Sequence, residues 1–179
     1  MIIEHTEEIA ENFDGTIIDI ETIGEFRDQY PDSRRYMSIQ MVIFGYIKKD
    51  RLRILCARGT DAITGLNSQV VGLIEALPRP FYAFNCGFEQ GVLFYQLGKK
   101  IDFEGELQEY HESKAYARSC LGIPNYDDPF YDRGFYCMVA WANGEFDAAI
   151  AHNRACLLKE KDILLRRGFR EPDKMEFIR

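Results

Sequence analysis

Asp19 and Glu21 stand two residues apart in the run Gly15-Thr16-Ile17-Ile18-Asp19-Ile20-Glu21-Thr22. The run is apolar and β-branched, which predicts a buried strand. Residues i and i+2 of a strand share a face, so both carboxylates point the same way. Two negative charges side by side next to a core are costly unless a cation lies between them. Mg²⁺ and Mn²⁺ favour carboxylate oxygens and would supply it. The same pair also suits a strand end that emerges into solvent, where acids cost little.

Two further segments carry residue types that could join such a site. In Phe84-Asn85-Cys86-Gly87-Phe88-Glu89 a strand gives way to a helix. Glu89 is either an acid favoured by the positive end of the helix or a third carboxylate aimed at the sheet edge, where open α/β sheets gather their sites. In Ala149-Ile150-Ala151-His152-Asn153-Arg154-Ala155-Cys156-Leu157-Leu158, His152 and Cys156 are four apart and share a helix face. His152 can be read as a satisfied histidine or as a proton-transfer group. Cys156 can be read as packing.

The order and spacing of these segments resemble the DEDD-type 3′–5′ exonucleases of the ribonuclease H-like superfold. The run Ile18-Asp19-Ile20-Glu21-Thr22 matches the first motif, and Phe84-Asn85-Cys86-Gly87-Phe88-Glu89 matches the second with Glu in place of Asp. The stretch from Gly144 through Ile150-Ala151-His152-Asn153-Arg154-Ala155-Cys156-Leu157 aligns with the third. The resemblance implies two metal ions, Mg²⁺ or Mn²⁺, held by Asp19, Glu21 and Glu89, about 4 Å apart on a scissile phosphodiester. It implies His152 as the general base and Thr22 and Asn85 against the substrate. The implied activity is metal-dependent 3′–5′ exonuclease action on DNA or RNA, and the implied partner is a single-stranded nucleic-acid end.

Two departures stand out. Glu89 is one methylene longer than the motif's Asp, and Cys156 falls where a last metal-binding Asp is expected. A thiol prefers softer metals than Mg²⁺. Glu160, one turn beyond Cys156 on the same face, or Asp147 could compensate, and Asp162 lies on another face. These departures keep open a second expectation, a pseudo-nuclease that binds nucleic acid or a protein partner without cleaving.

The elements that must position these residues read as a mixed α/β sheet led by an antiparallel hairpin and flanked by helices, the ribonuclease H-like plan. Strands are expected at 15–22, 37–47, 51–57 and 81–85, and helices at 67–77, 88–97, 109–121, 135–142 and 146–167. Residues 1–14 read as an N-terminal extension, 15–168 as the domain, and 169–179, containing Pro172, as a frayed tail. The loop 125–133 mixes three acids with aromatics, either a stacking wall or an acidic surface loop. The net charge of −7 argues against a broad electrostatic grip on nucleic acid, though not against holding one strand end. Arg34-Arg35, Lys99-Lys100 and Arg166-Arg167 come as pairs, not as a patch. The five cysteines contain no C-x-x-C pair, which speaks against structural zinc and suits a reducing compartment. No apolar run reaches the length of a membrane span, and the N-terminus has acids where a signal peptide carries Lys or Arg, so a cytoplasmic protein is expected.

Overall fold

The sheet is built around one strand. In a computed structural model describing residues 1–179, β2 (Thr16–Ile23) has Thr16 through Ile20 buried, as its β-branched run demands. It pairs antiparallel with β3 (Gln40–Lys48), which turns through Lys49-Asp50 into β4 (Arg51–Ala57). On its other side β2 runs parallel to β5 (Phe81–Ala83), which in turn pairs parallel with the short β6 (Gly105–Glu106). An edge strand, β1 (Ile2–Glu8), lies antiparallel to β4, giving the order β1-β4-β3-β2-β5-β6. The chain is therefore α/β with a mixed six-stranded sheet.

The helices follow from capping and spacing. In α1 (Ile63–Ala76), Ile63, Leu66, Val70 and Ile74 are buried at helical intervals, and the helix stops before Pro78. In α2 (Cys86–Leu97), Asn85 is the N-cap: its side chain accepts from the Phe88 N–H at 3.1 Å. Gly98, at φ 74°, ends it in the left-handed conformation. Next come α3 (Lys114–Cys120) and α4 (Gly134–Ala142), and the 22-residue α5 (Phe146–Arg167) crosses β2, β3 and β4. No helix is long and apolar enough to cross a membrane.

One glycine sets how close α5 comes to the sheet. Gly45 of β3 is paired with Asp19 across the ladder. A Cβ at Gly45 would stand 2.1 Å from Asn153 Oδ1 and 2.8 Å from Leu157 Cδ1, both on α5. Only a residue without a side chain lets the helix rest its site-facing side on the strand that carries Asp19. Just beyond, the β2–β3 register shifts between Glu21 and Thr22. Such irregularities re-aim side chains where a strand leaves its ladder.

The structure differs from the sequence reading at both ends. Residues 1–14 contribute a strand to the sheet and do not stand apart as an extension. The 169–179 segment is docked, not frayed. Its Arg170 forms an isolated bridge with Glu106, and the Ser33 N–H donates to Glu176 O at 3.0 Å. Ser33 Oγ donates to Ile178 O at 3.0 Å and accepts from the Ile178 N–H at 2.8 Å. Phe177 meets Phe94 edge-on at 5.2 Å. The two-residue β6 has too few residues to show a period. The helix expected at 109–121 forms only over Lys114–Cys120, where Ser113 caps it by accepting from the Tyr116 N–H.

Candidate active site

A cavity of about 700 Å³ opens where β2 ends, α2 begins and α5 passes over the sheet. Asp19, Glu21 and Thr22 reach it from β2, Asn85 and Glu89 from the β5–α2 junction, and His152 and Cys156 from α5. The structure thus brings together the seven residues that the three motif segments supplied: Asp19, Glu21, Thr22, Asn85, Glu89, His152 and Cys156. Phe26, Phe84, Phe88 and Phe135 form much of its apolar wall. Asn85 is committed through its side-chain oxygen to capping α2.

Asp19 is held from two sides. Asn153 Nδ2 donates to its Oδ2 at 2.6 Å, and Lys114 Nζ donates to its Oδ1 at 3.0 Å. The same ammonium donates to Glu160 Oε1 at 2.6 Å. Of the two acids weighed as substitutes for Cys156, Glu160 therefore belongs to the cluster, while Asp147 lies exposed. Burial, with Asp19 and Glu160 nearby, pushes the Glu89 carboxyl well above its ordinary range. Burial does the same to Glu160, and Lys114 opposes it only in part. Burial works against the charge on Lys114, but Asp19, Cys156 and Glu160 outweigh it and keep the amine protonated. One ammonium thus serves three acids, and Glu89 Oε2 and Glu160 Oε2 remain buried with no hydrogen-bond partner. Such orphaned oxygens are costly and draw a proton or a cation.

On the other side of the pair stands His152. Its Nδ1 lies 2.7 Å from Asp128 Oδ1 in a fully buried contact. Burial would raise the Asp128 carboxyl, but hydrogen bonds from His152 and Lys159 hold it well below the usual range. As a carboxylate it accepts the Nδ1 proton and leaves Nε2 facing Glu21 Oε1 at 3.7 Å and Cys156 Sγ at 3.7 Å. Burial opposes charge on the ring, yet Cys156, Glu21 and Asp128 lift its pKa to about 11. In this surround His152 holds a proton at neutral pH, and the base role implied for it requires that proton to be given up first. Burial and Asp19 push the Glu21 carboxyl up to about 7, against the pull of His152 and Lys114.

Five supports, Lys114, Asp128, Asp132, Asn153 and Lys159, were not legible as site residues. Lys114 opens a short helix with nothing to mark it. Asp128 and Asp132 lie in the loop read as a stacking wall or an acidic surface. The carboxyl groups of both are buried instead, each accepting from Lys159 Nζ, at 2.7 and 2.6 Å. Around them Tyr126, Asp127, Tyr131 and Asp132 all take positive φ, between 51° and 66°. Backbone in that region persists only where its surroundings over-determine it, and such positions cluster at functional sites. Lys159 itself is fully buried on α5, among residues that periodicity reads as a solvated face. The His152-Asn153 dipeptide was the one available signal for Asn153.

The implied ion set fits in part. Asp19 and Glu89 are the donor types that suit a hard cation, and Glu89 Oε2 is buried without a partner, while both Asp19 oxygens are already hydrogen-bonded. Glu21 does not join them in one compact donor set. The one trio of His, Cys, Asp and Glu side chains whose donor atoms all lie within 4.8 Å of one another is Glu21, His152 and Cys156. No family model matches the chain, and neither a curated protein nor a solved structure matches it.

Proposed function

We propose that this chain is a ribonuclease H-like hydrolase that removes nucleotides from the 3′ end of a DNA or RNA strand in a metal-dependent reaction. One observation carries the reading: Asp19, Glu21, Glu89 and His152 come from three separate elements to line a single cavity. The mixed sheet, with its antiparallel hairpin and parallel strands, agrees with the plan the resemblance implies. The cavity volume is that of a small-molecule site, large enough for a terminal nucleotide. Its phenylalanine wall offers faces on which a base can stack irrespective of sequence.

The chain's own residues do the following work. Asn153 and Lys114 fix the Asp19 carboxylate, and Asp128 fixes the His152 ring through Nδ1. Lys114 and protonated His152 put positive charge beside a phosphate that gains charge on the way to cleavage. They also offset the acidic balance of the chain locally, which a single strand end requires and a long duplex would not. Asp19 and Glu89 would hold Mg²⁺ or Mn²⁺, with Lys114 withdrawing from Asp19 to admit it. Such an ion supplies an activated water and neutralises phosphate charge.

A second reading is favoured by Lys114 itself. An ammonium already bonded to Asp19 and Glu160 occupies the position a cation would take, as a pseudo-nuclease that binds without cleaving requires. Incubation of a 5′-labelled single-stranded oligonucleotide with Mg²⁺ or Mn²⁺ separates the two. Stepwise shortening from the unlabelled 3′ end that disappears in Asp19→Asn supports the exonuclease. Shortening that persists in that variant sinks it. Tight binding by fluorescence anisotropy without shortening selects the pseudo-nuclease.

A further inference from the structure

We infer that Glu21, His152 and Cys156 form a site for one transition-metal ion of the zinc class, separate from the hard-ion position on Asp19 and Glu89. The inference stands whether or not the cavity cleaves phosphodiesters, because it concerns ion binding and not turnover.

Geometry comes first. The donor atoms of the trio lie within 4.8 Å of one another, with His152 Nε2 at 3.7 Å from both Glu21 Oε1 and Cys156 Sγ. Tetrahedral zinc with N and O ligands at about 2.0–2.1 Å and S at about 2.3 Å sets neighbouring donors about 3.3–3.6 Å apart. The observed spacing needs only small side-chain shifts to reach that. The 3.7 Å N···O separation from Glu21 is too long for a hydrogen bond, and the 3.7 Å contact of His152 Nε2 with Cys156 Sγ is a weak, long one, so the trio is gathered without a strong bond that an ion would have to break.

The outer shell points the same way. A metal-bound histidine commonly donates its other ring N–H to a carboxylate, which fixes the tautomer and aims the free nitrogen. Asp128 does this for His152 at 2.7 Å, and Lys159 and the Phe130 and Asp132 N–H groups anchor Asp128 in turn. Phe130 also packs against the ring at 5.5 Å. The arrangement leaves Nε2 little freedom except toward Glu21 and Cys156, and an ion bound there displaces the proton that this nitrogen carries in the ion's absence.

Chemistry then selects the ion. One carboxylate, one imidazole and one thiol are a poor set for Mg²⁺ and a good one for zinc and its neighbours. All three residues line the cavity, so a fourth position faces open space, the pattern of sites that keep one place for water or substrate. The cysteine that breaks the carboxylate motif is thereby the residue that changes the metal.

The test is spectroscopic. Metal-stripped, reduced protein is titrated with Co²⁺, then with competing Zn²⁺ and with Mg²⁺. The expected result is one ion per chain, a thiolate-to-cobalt charge-transfer band in the near ultraviolet, tetrahedral visible bands, displacement by Zn²⁺ and none by Mg²⁺. The charge-transfer band should vanish in Cys156→Ala and survive in Cys120→Ser, which controls for the exposed thiol. Glu21→Gln, a nearly isosteric change, should weaken Co²⁺ binding more than about tenfold, in line with losses seen when a metal site's supporting ligands are removed. Circular dichroism establishes that each variant is folded. Absence of binding, an octahedral spectrum without the charge-transfer band, or a band that persists in folded Cys156→Ala would overturn the assignment. Failure of the oligonucleotide assay with an intact cobalt signature would count against the exonuclease alone.

Discussion

Lys114 is the residue on which the chemistry of the cavity turns. It balances Asp19 and Glu160 directly and lies close enough to Glu89 to lower that group's pKa. Removing one partner of a buried charge cluster leaves the others uncompensated, a loss of about 3–5 kcal/mol. Lys114→Met should therefore lower the urea-unfolding free energy by roughly that amount. If Asp19 and Glu89 hold a hard ion, Mn²⁺ should raise the melting temperature of Lys114→Met more than that of the unsubstituted protein, because the ammonium no longer competes. Equal shifts in both would remove the hard-ion position.

At the scale of elements, α5 must lie close to β3 for Asn153 to reach Asp19, and Gly45 permits it. Gly45→Ala forces its methyl against Asn153 and Leu157, and overpacking of this kind costs about 1–3 kcal/mol. Adding Asn153→Ala should recover part of the loss. Strict additivity in a double-mutant cycle would show that the two do not touch. The far end of α5 is pinned by Arg167, whose guanidinium donates to both Glu112 oxygens, at 2.9 and 2.6 Å, and to Leu107 O at 2.7 Å. Hydrogen bonding from Arg167 lowers the Glu112 carboxyl pKa against a smaller opposing effect of burial. A carboxyl depressed in the folded state stabilises above its unfolded pKa and loses that contribution as pH falls through the folded value. Glu112→Gln should thus cost about 1 kcal/mol at pH 7 and progressively less below about pH 4.5. A difference that stayed constant down to acid pH, in paired denaturant melts, would rule out the ion pair as its source.

For the whole molecule, the ends close the fold. The last residues bond to Ser33 and stack Phe177 on Phe94, while β1 covers the β4 edge with a charged strand. Deleting residues 174–179 removes the Ser33 contacts and the Phe177 ring, and about 1–3 kcal/mol should go with them. The check is the melting temperature, which should fall by about 2–4 °C for each kcal/mol lost in a chain of this size. Backbone amides of the 169–179 segment should exchange slowly in the intact protein if the docking holds. Fast exchange there would return this segment to the frayed tail that Pro172 and its polar residues suggest.

What the chain declares by itself is whatever depends on local period and order. The hydrophobic run of β2, the hairpin of β3 and β4, the change from strand to helix after Asn85 and the length of α5 are all local patterns, and they place Asp19, Glu21, Glu89, His152 and Cys156 on the right elements. The site residues could be gathered from sequence because three short segments occur in a recognisable order. Lys114, Asp128 and Lys159 could not, because each acquires its role from partners far along the chain: Lys114 lies 95 residues from Asp19, and Asp128 lies 31 from Lys159. A buried charge looks like a surface charge until its counter-charge is located. Packing alone decided that the pair on β2 is divided, Asp19 facing an ammonium and Glu21 facing a histidine and a thiol.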